Sequence, residues 1–357
     1  MWLQKLQAEG LRSFKQCEIS FSHGINVLFG ENGAGKTSIL EGIHVLSCGK
    51  SFRTSSLVNV THHDASMLTL YGEVVNLGNT SQLGVRISSS SEKELRLNRE
   101  TTSGWSELAK SLPVLDIHPE SYLLVTSGPS ERRKFLNWGV FHVEQGFSKM
   151  WSEYSKAVKQ RNFCLKTRNI SQAKHWHHTL ADHGEAISKQ ISNYCLEIVP
   201  RVNEILSLFG FTQSIRFEYT PGWDSRLGLK VALDNELRSD DLSLFTQVGP
   251  HRGDLKISWN GKLFAKTSSR GQQKMMAIAL KLAQAKTIKQ KYGKSIVYLV
   301  DELQAELDGK QTQIALEILA QLDSQIIITA LSREAMKCLD QPIKWFHVKH
   351  GCVSSVV

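Results

Sequence analysis

No C-x-x-C pair occurs in this chain, and its six cysteines, Cys17, Cys48, Cys164, Cys195, Cys338 and Cys352, stand far apart. That scatter excludes a disulfide framework and a cysteine zinc site, and reads as reduced, mostly buried thiols of a cytosolic protein. No charged-then-apolar leader opens the sequence, and no apolar run reaches the roughly 18 residues a membrane-spanning helix needs. The chain is expected to be cytoplasmic, neither exported nor membrane-spanning by its own sequence. Acid is the scarcer charge: 43 Lys and Arg stand against 34 Asp and Glu, for a net charge of +9 and a pI of about 9.2. The excess favours a polyanionic partner, nucleic acid or a membrane surface, although a merely basic surface has the same composition. A length of 357 residues suffices for two compact units, or one core with a large insertion.

What the chain does have is Gly30-Glu31-Asn32-Gly33-Ala34-Gly35-Lys36-Thr37, the G-x-x-x-x-G-K-T phosphate-binding loop. The glycines let the backbone turn its N–H groups toward one point. Lys36 brings positive charge to the β- and γ-phosphates, and the Thr37 hydroxyl is a ligand for Mg²⁺. The flanks agree. Ile25 to Phe29 is a short apolar run, hence a buried strand, and Ile39, Leu40, Ile43 and Leu46 recur at helical spacing. Strand, loop and helix place the positive end of a helix dipole under the phosphates of ATP.

Further motifs follow in chain order. Ser295 to Val300 is an apolar strand that ends in Asp301-Glu302, the Walker B pattern. Asp301 is placed to hold Mg²⁺, and Glu302 to polarise the water that attacks the γ-phosphate. About thirty residues earlier, Ser269-Arg270-Gly271-Gln272 opens a helix expected from Gln272 to Gln290. Its S-x-G-Q form offers a hydroxyl, a glycine N–H and a helix dipole to a phosphate. Order and spacing are those of an ABC-type ATPase signature. Two phosphate sites in one chain rarely serve one nucleotide in cis. The expected arrangement is therefore an ATP-dependent homodimer, head to tail, with Lys36 of one copy and Ser269, Gly271 and Gln272 of the other gripping each ATP. Ala305-Glu306-Leu307-Asp308 resembles the D-loop that crosses such a seam. Gln325 to Thr329 is the next core strand, and Thr329 stands where many such ATPases carry a histidine.

The remaining pattern predicts strands over Met67 to Val75, Gln82 to Ser88, Lys93 to Asn98, Pro113 to Ile117, Ser214 to Tyr219 and Leu227 to Leu233. Gly49-Lys50-Ser51-Phe52-Arg53-Thr54 is a basic loop. Arg12 and Phe14 precede the phosphate-loop strand and suit either a surface role or an approach to a bound base. From Pro129-Ser130 the chain turns helical as far as Pro200 and Phe209. Arg132, Arg133, Lys134, Lys149, Lys156, Lys159, Arg161, Lys166 and Arg168 make this insertion basic. It reads as a phosphate-binding face, or equally as a solvated one. His175, His177, His178 and His183 lack the one-sided spacing of a metal site and read as a polar surface cluster. The fold class expected is α/β: an ABC-type ATPase head, a phosphate-loop sheet with antiparallel strands, and an inserted helical lobe. The division expected is 1–128 and 210–357 for the head and 129–209 for the lobe.

Taken together the motifs resemble the RecF family, recombination-mediator ATPases on the SMC-like branch of the ABC proteins. The specific pieces are G-E-N-G-A-G-K-T at Gly30, G-K-S-F-R-T at Gly49, G-P-S-E-R-R-K-F-L at Gly128, G-P-H-R-G-D-L at Gly249 and S-x-G-Q-Q at Ser269. Two departures stand out. Arg270 sits where a small or neutral residue is usual, and His118-Pro119-Glu120-Ser121 replaces a glutamine loop, with Glu120 as the available carboxylate. The resemblance implies a head without a long coiled coil, and no sustained heptad run appears. It also implies ATP-dependent dimerisation, a weak DNA-stimulated ATPase rather than a metabolic enzyme, and binding to double-stranded DNA and gapped DNA. Cooperation with RecO and RecR in loading RecA, and roles in replication, repair and SOS induction, come from the family alone. Two other readings use the same motifs: the nucleotide-binding subunit of a membrane transporter, and a scaffold held together by unhydrolysed ATP. The basic insertion and Thr329 argue against the first, the Asp301-Glu302 pair against the second.

Overall fold

A computed structural model of the chain describes residues 1–102, 104–213, 215–238, 243–336 and 341–356. Cys338 and the first residue of the strand expected from Ser214 lie outside the described residues. The chain divides into two compact units, Met1–Ser121 with Lys289–Val357, and Tyr122–Ile288. The inserted unit is larger than the 129–209 lobe drawn from helical pattern alone. It also takes in the strands and helices from 210 to 288.

The first unit holds two six-stranded sheets. One is antiparallel and carries Trp2–Leu11, Phe14–Ser20, Met67–Asn76, Asn79–Ser88, Lys93–Leu97 and Glu100–Thr101. The other places Ile25–Phe29 between Ile343–Lys349 and Ile326–Ala330, then adds Val297–Val300 and Val114–Ile117, all parallel. Cys352–Val356 closes its edge antiparallel. Val297–Val300 and Ile326–Ala330 are buried at every position, as strands of a parallel sheet covered on both faces must be. Leucines, isoleucines and valines of both sheets form one core with the helix Lys36–Cys48. Gln325, fully buried, ties the two sheets. Its side chain accepts from the Leu3 N–H at 2.8 Å and donates to the Leu3 and Ser22 carbonyls at 2.8 Å each. A buried amide this well satisfied fixes one strand register and no other.

The second unit is mostly helical, with Pro129–Val143, Phe147–Lys166 and His177–Leu208 as its long elements. Pro200 does not end the last of these. It is exposed, and so is Leu196 one turn before, which places the proline on the solvent side of the helix. Leu227 to Leu233 is not a strand: the chain forms the helix Leu229–Arg238. The alternation of Leu227, Leu229, Val231 and Leu233 misleads because only Leu229 and Leu233, four apart, are buried. Asp254–Trp259 pairs antiparallel with Ile215–Thr220 and with Lys262–Leu263. Arg161, counted above with the basic face, is 0% exposed. Its guanidinium lies 3.0 Å from Glu236 and donates to Thr246 Oγ1 at 2.8 Å.

His251 shares a hydrogen bond of 2.6 Å with the Tyr154 hydroxyl through Nδ1, and its Nε2 lies 3.0 Å from the Thr246 carbonyl. Burial pushes its pKa down to about 4. The unfolded chain binds the proton first as pH falls, so this contribution to stability is complete above pH 6.5 and is lost between there and about 4. Urea unfolding followed from pH 7 to 4 is expected to show a loss of about 3 kcal/mol, reduced by most of that amount in His251→Gln.

Candidate functional site

The strand Ile25–Phe29 delivers the phosphate loop, and the helix Lys36–Cys48 starts at its far end with no acidic residue in its first turn. Two glycines are obligatory. Gly30 has φ +152° and a Cβ there would stand 2.2 Å from the Val348 carbonyl oxygen; Gly35 has φ +109° and a Cβ would press into the Phe14 ring at 2.7 Å. Phe14 is therefore neither a surface residue nor a base contact. It is 0% exposed and wedges the loop from below. Gly33 faces open space instead, which leaves the mouth of the loop, over Glu31, Asn32 and Ala34, clear for a phosphate chain.

Lys36 is 4% exposed, and its Nζ donates to the carbonyls of Gly30 at 2.7 Å and Glu31 at 2.9 Å. Burial lowers its pKa, with the carboxylates of Glu302 and Asp301 pulling the other way. An ammonium bonded to neutral carbonyls gains by exchanging them for phosphate oxygens.

Across the loop, Thr37 Oγ1 donates to Asp301 Oδ1 at 3.0 Å, and Thr329 Oγ1 donates to the same oxygen at 2.8 Å. The Glu302 N–H in turn donates to Thr329 Oγ1 at 3.0 Å. Thr329 is 1% exposed. It thus organises the Asp301-Glu302 pair from behind and has no free face for a nucleotide. Burial raises the Asp301 pKa, opposed by the two hydroxyls and by the charges of His118 and Arg53. A hydroxyl and a buried carboxylate short of positive charge are a donor set that fits Mg²⁺. Asp301→Asn keeps an acceptor for both hydroxyls and removes the buried charge. Calorimetry without nucleotide is expected to show unfolding about 1–3 °C higher, and no further rise with ATP and Mg²⁺. A variant less stable than its parent would contradict the desolvated carboxylate.

Behind the site lies a group that the sequence did not expose. Glu41 is fully buried and accepts two bonds from Arg12, at 2.8 and 2.7 Å. It also accepts from Ser51, with Arg53 3.9 Å away. The Phe52 ring packs against His44 and stacks on His118 at 5.0 Å, and Asp116 lies 3.1 Å from His118. The Gly49-to-Thr54 loop is thus anchored at three successive residues. Glu120, offered above for the missing glutamine, is exposed.

In the other unit, Ser269 caps the helix Arg270–Tyr292. Its Oγ accepts from Gln272 N at 3.3 Å, and Gln272 Oε1 accepts from Ser269 N at 2.8 Å, a reciprocal capping box. Ser269, Arg270 and Gly271 are all exposed. The four histidines go to separate partners: His177 to Asp234 at 2.9 Å, His178 to Asp182 at 2.7 Å, His183 to Glu153 at 3.4 Å, and His175 beside Trp176. His177 is buried, so the four do not form the surface cluster expected from their spacing.

The model of the RecF/RecN/SMC N terminal domain matches residues 2–354. The DNA replication and repair protein RecF of Shewanella sediminis is 34% identical over 359 residues, covering all of both chains. The chain belongs to the RecF family. A solved structure of the recombination mediator protein RecF with ATP, in the RecFOR pathway, superposes with a TM-score of 0.87 at 25% identity, over 100% of this chain and 98% of that one. The Smc head domain of Pyrococcus furiosus, bound to the C-terminal domain of ScpA, superposes with a TM-score of 0.62 at 17% identity, over 99% and 96%, and shares the fold. The fold is therefore the α/β ATPase head of RecF and SMC proteins.

Two segments that carried the RecF resemblance turn out to hold each other. Arg132, from Gly128 to Leu136, forms a two-pronged bond with Asp254 at 2.7 and 3.1 Å, and Arg133 donates to the Gly253 carbonyl at 2.8 Å. Arg132 and Arg133 are thus structural, whereas Lys134 is exposed and pairs only with Glu131 on its own helix. Lys149, Lys156, Lys159 and Lys166 are the exposed ones on the helix Phe147–Lys166.

Proposed function

We propose that this chain is an ATP-dependent DNA-binding protein of recombinational repair and replication restart. One copy holds ATP through Gly30 to Thr37, and a second copy closes over it with Ser269, Gly271 and Gln272. The head-to-tail dimer so formed sits on double-stranded DNA near single-strand gaps, where RecO and RecR are its partners in loading RecA. Slow hydrolysis, with Glu302 as the base, resets it. Mg²⁺, when bound, is held by Thr37 and Asp301 and neutralises charge on the phosphates. Lys36 binds the phosphate chain, and Thr329 fixes Asp301 and the backbone of Glu302.

The observation that carries this reading is the division of labour within one chain. Lys36, Thr37, Asp301 and Glu302 form one connected cluster in the first unit. The Ser269 cap is complete, exposed and in the other unit. A second anion site left open to solvent suits a nucleotide presented by another copy. The relatives named above, repair proteins and an ATP complex, point the same way.

Light scattering tests it. ATP with Mg²⁺ is expected to double the mass of the wild-type protein, and duplex DNA to strengthen the pairing. Ser269→Arg is expected to bind ATP within about threefold of wild type yet pair at least about 30-fold more weakly, because a charged side chain replaces the cap at the seam. Normal pairing by this variant removes the signature from the interface.

A further inference from the structure

Residues 60 to 62 are clasped to the turn between the strands Trp2–Leu11 and Phe14–Ser20. The His62 N–H donates to the Gly10 carbonyl at 2.8 Å, the Arg12 N–H donates to the Val60 carbonyl at 2.9 Å, and Leu11 bridges to Thr61. A tight turn closes next, with the Ala65 N–H donating to the His62 carbonyl at 3.0 Å. It gathers His62, His63 and Asp64. Their ligand atoms all lie within 4.8 Å of one another, and among the described residues no other three His, Cys, Asp or Glu side chains form such a group. The two imidazoles stack at 4.3 Å with their planes 24° apart. His63 Nε2 stands 3.3 Å from Asp64 Oδ1. His62 is buried, whereas His63 and Asp64 are exposed.

We propose that His62, His63 and Asp64 bind a divalent transition-metal ion, Zn²⁺ above all. The donor set selects the ion: two imidazoles and a carboxylate suit Zn²⁺ and Ni²⁺, whereas Mg²⁺ and Ca²⁺ take oxygen ligands. The spacing agrees. Bonds of about 2.0–2.1 Å at tetrahedral angles set two donors about 3.3–3.4 Å apart, and His63 Nε2 and Asp64 Oδ1 already stand at that separation. Three protein ligands leave a fourth position for water. Two contacts give way to the ion. One is the Asp64 N–H, which donates to His62 Nδ1 at 3.0 Å. The other is Lys15, whose Nζ lies 3.7 Å from Asp64 Oδ2 on a side chain 79% exposed, so it swings aside into solvent. The buried ring of His62 is the fixed ligand, and the two exposed side chains close on it from a turn that backbone bonds already hold, so little remains to be ordered. The site goes beyond the function proposed above: it needs neither a nucleotide nor a second copy, and it shares no residue with Thr37 and Asp301. Its effect is a brace. The hairpin turn to which it is clasped sets Arg12 on Glu41 and Phe14 under Gly35.

The test is calorimetric titration of the full chain, without nucleotide, with Zn²⁺ and then with Ni²⁺. The wild type is expected to take up one equivalent of Zn²⁺ that His63→Ala and Asp64→Ala each bind at least about 30-fold more weakly. Both side chains are exposed, so without metal the two variants should unfold within about 1 °C of wild type. Zn²⁺ at about a hundredfold above its Kd should raise the unfolding temperature of the wild type by about 3–5 °C and leave both variants where they were. Lys15→Ala, which removes the cation beside Asp64, should bind Zn²⁺ more tightly than wild type. Equal uptake of Zn²⁺ by wild type and both variants overturns the proposal, because the ion then sits elsewhere, as on the exposed thiol of Cys352. So does a wild type that takes up no Zn²⁺, or one from which a large excess of Mg²⁺ displaces it.

Discussion

With ATP and Mg²⁺, Glu302→Gln protein is expected to accumulate as dimers that outlast those of the wild type by about a hundredfold or more. Glu302 follows the buried strand Val297–Val300 and sits at φ 48°, ψ 40°, in the left-handed region that side chains other than glycine seldom adopt. Such a conformation costs of order 1 kcal/mol and persists only where the surroundings impose it. Here Thr329 imposes it, by accepting the Glu302 N–H while donating to Asp301. Glutamine keeps the volume and the backbone bond. It removes only the carboxylate that would take a proton from water, a loss of about 10²- to 10⁴-fold in the chemical step. Binding and pairing precede that step, so both survive and their product builds up. Single-turnover phosphate release and light scattering on one sample check the two halves. Rapid phosphate release, or monomers in saturating ATP, would take the base assignment away from Glu302.

Contiguity decides what was legible in the chain. The phosphate loop and the Asp301-Glu302 strand end are runs of neighbours whose chemistry needs a fixed local spacing, and their strands and helices lie where hydrophobic pattern puts them. The support behind them is not local. Asp254 lies 122 positions from Arg132, and Thr37 lies 264 from Asp301, so spacing carries no trace of either pair. Arg161 is a different case, because its period does betray it. Tyr154, Ala157, Arg161 and Cys164 are all buried, at the three- and four-residue steps of one helix face. Reading charge without that face made Arg161 look like a surface residue. The strand expected from Leu227 failed for the opposite reason. Its alternation was real, but Leu227 and Val231 are half exposed and the pairing edge it needed is absent from the helix it forms. Thr329 shows how a substitution reads once its neighbours are seen. In place of a histidine, it spends both halves of its hydroxyl on the Asp301-Glu302 pair.

Lys36→Ala is expected to weaken ATP binding by about 10²- to 10³-fold, and with it to abolish pairing at any nucleotide concentration below the shifted Kd. The magnitude follows from the lysine's surroundings. Two charge-assisted bonds to phosphate oxygens are worth about 1.5–3 kcal/mol each, and they replace bonds to the Gly30 and Glu31 carbonyls that are already short. The net gain is therefore below the sum of two full bonds, about 3–4 kcal/mol. The Gly30 and Glu31 carbonyls keep their backbone positions in the variant, because φ +152° at Gly30 and the packing against Val348 are unchanged, so the nucleotide-free fold should survive the change. Isothermal titration with ATP and Mg²⁺ measures the affinity, and unfolding without nucleotide serves as the control. The two readouts should part: ATP raises the unfolding temperature of the wild type in proportion to ln(1 + [ATP]/Kd) and leaves that of Lys36→Ala where it was. A variant that binds ATP within threefold of wild type would mean that the loop's N–H groups alone hold the phosphates. Lys36 would then serve only to brace Gly30 and Glu31.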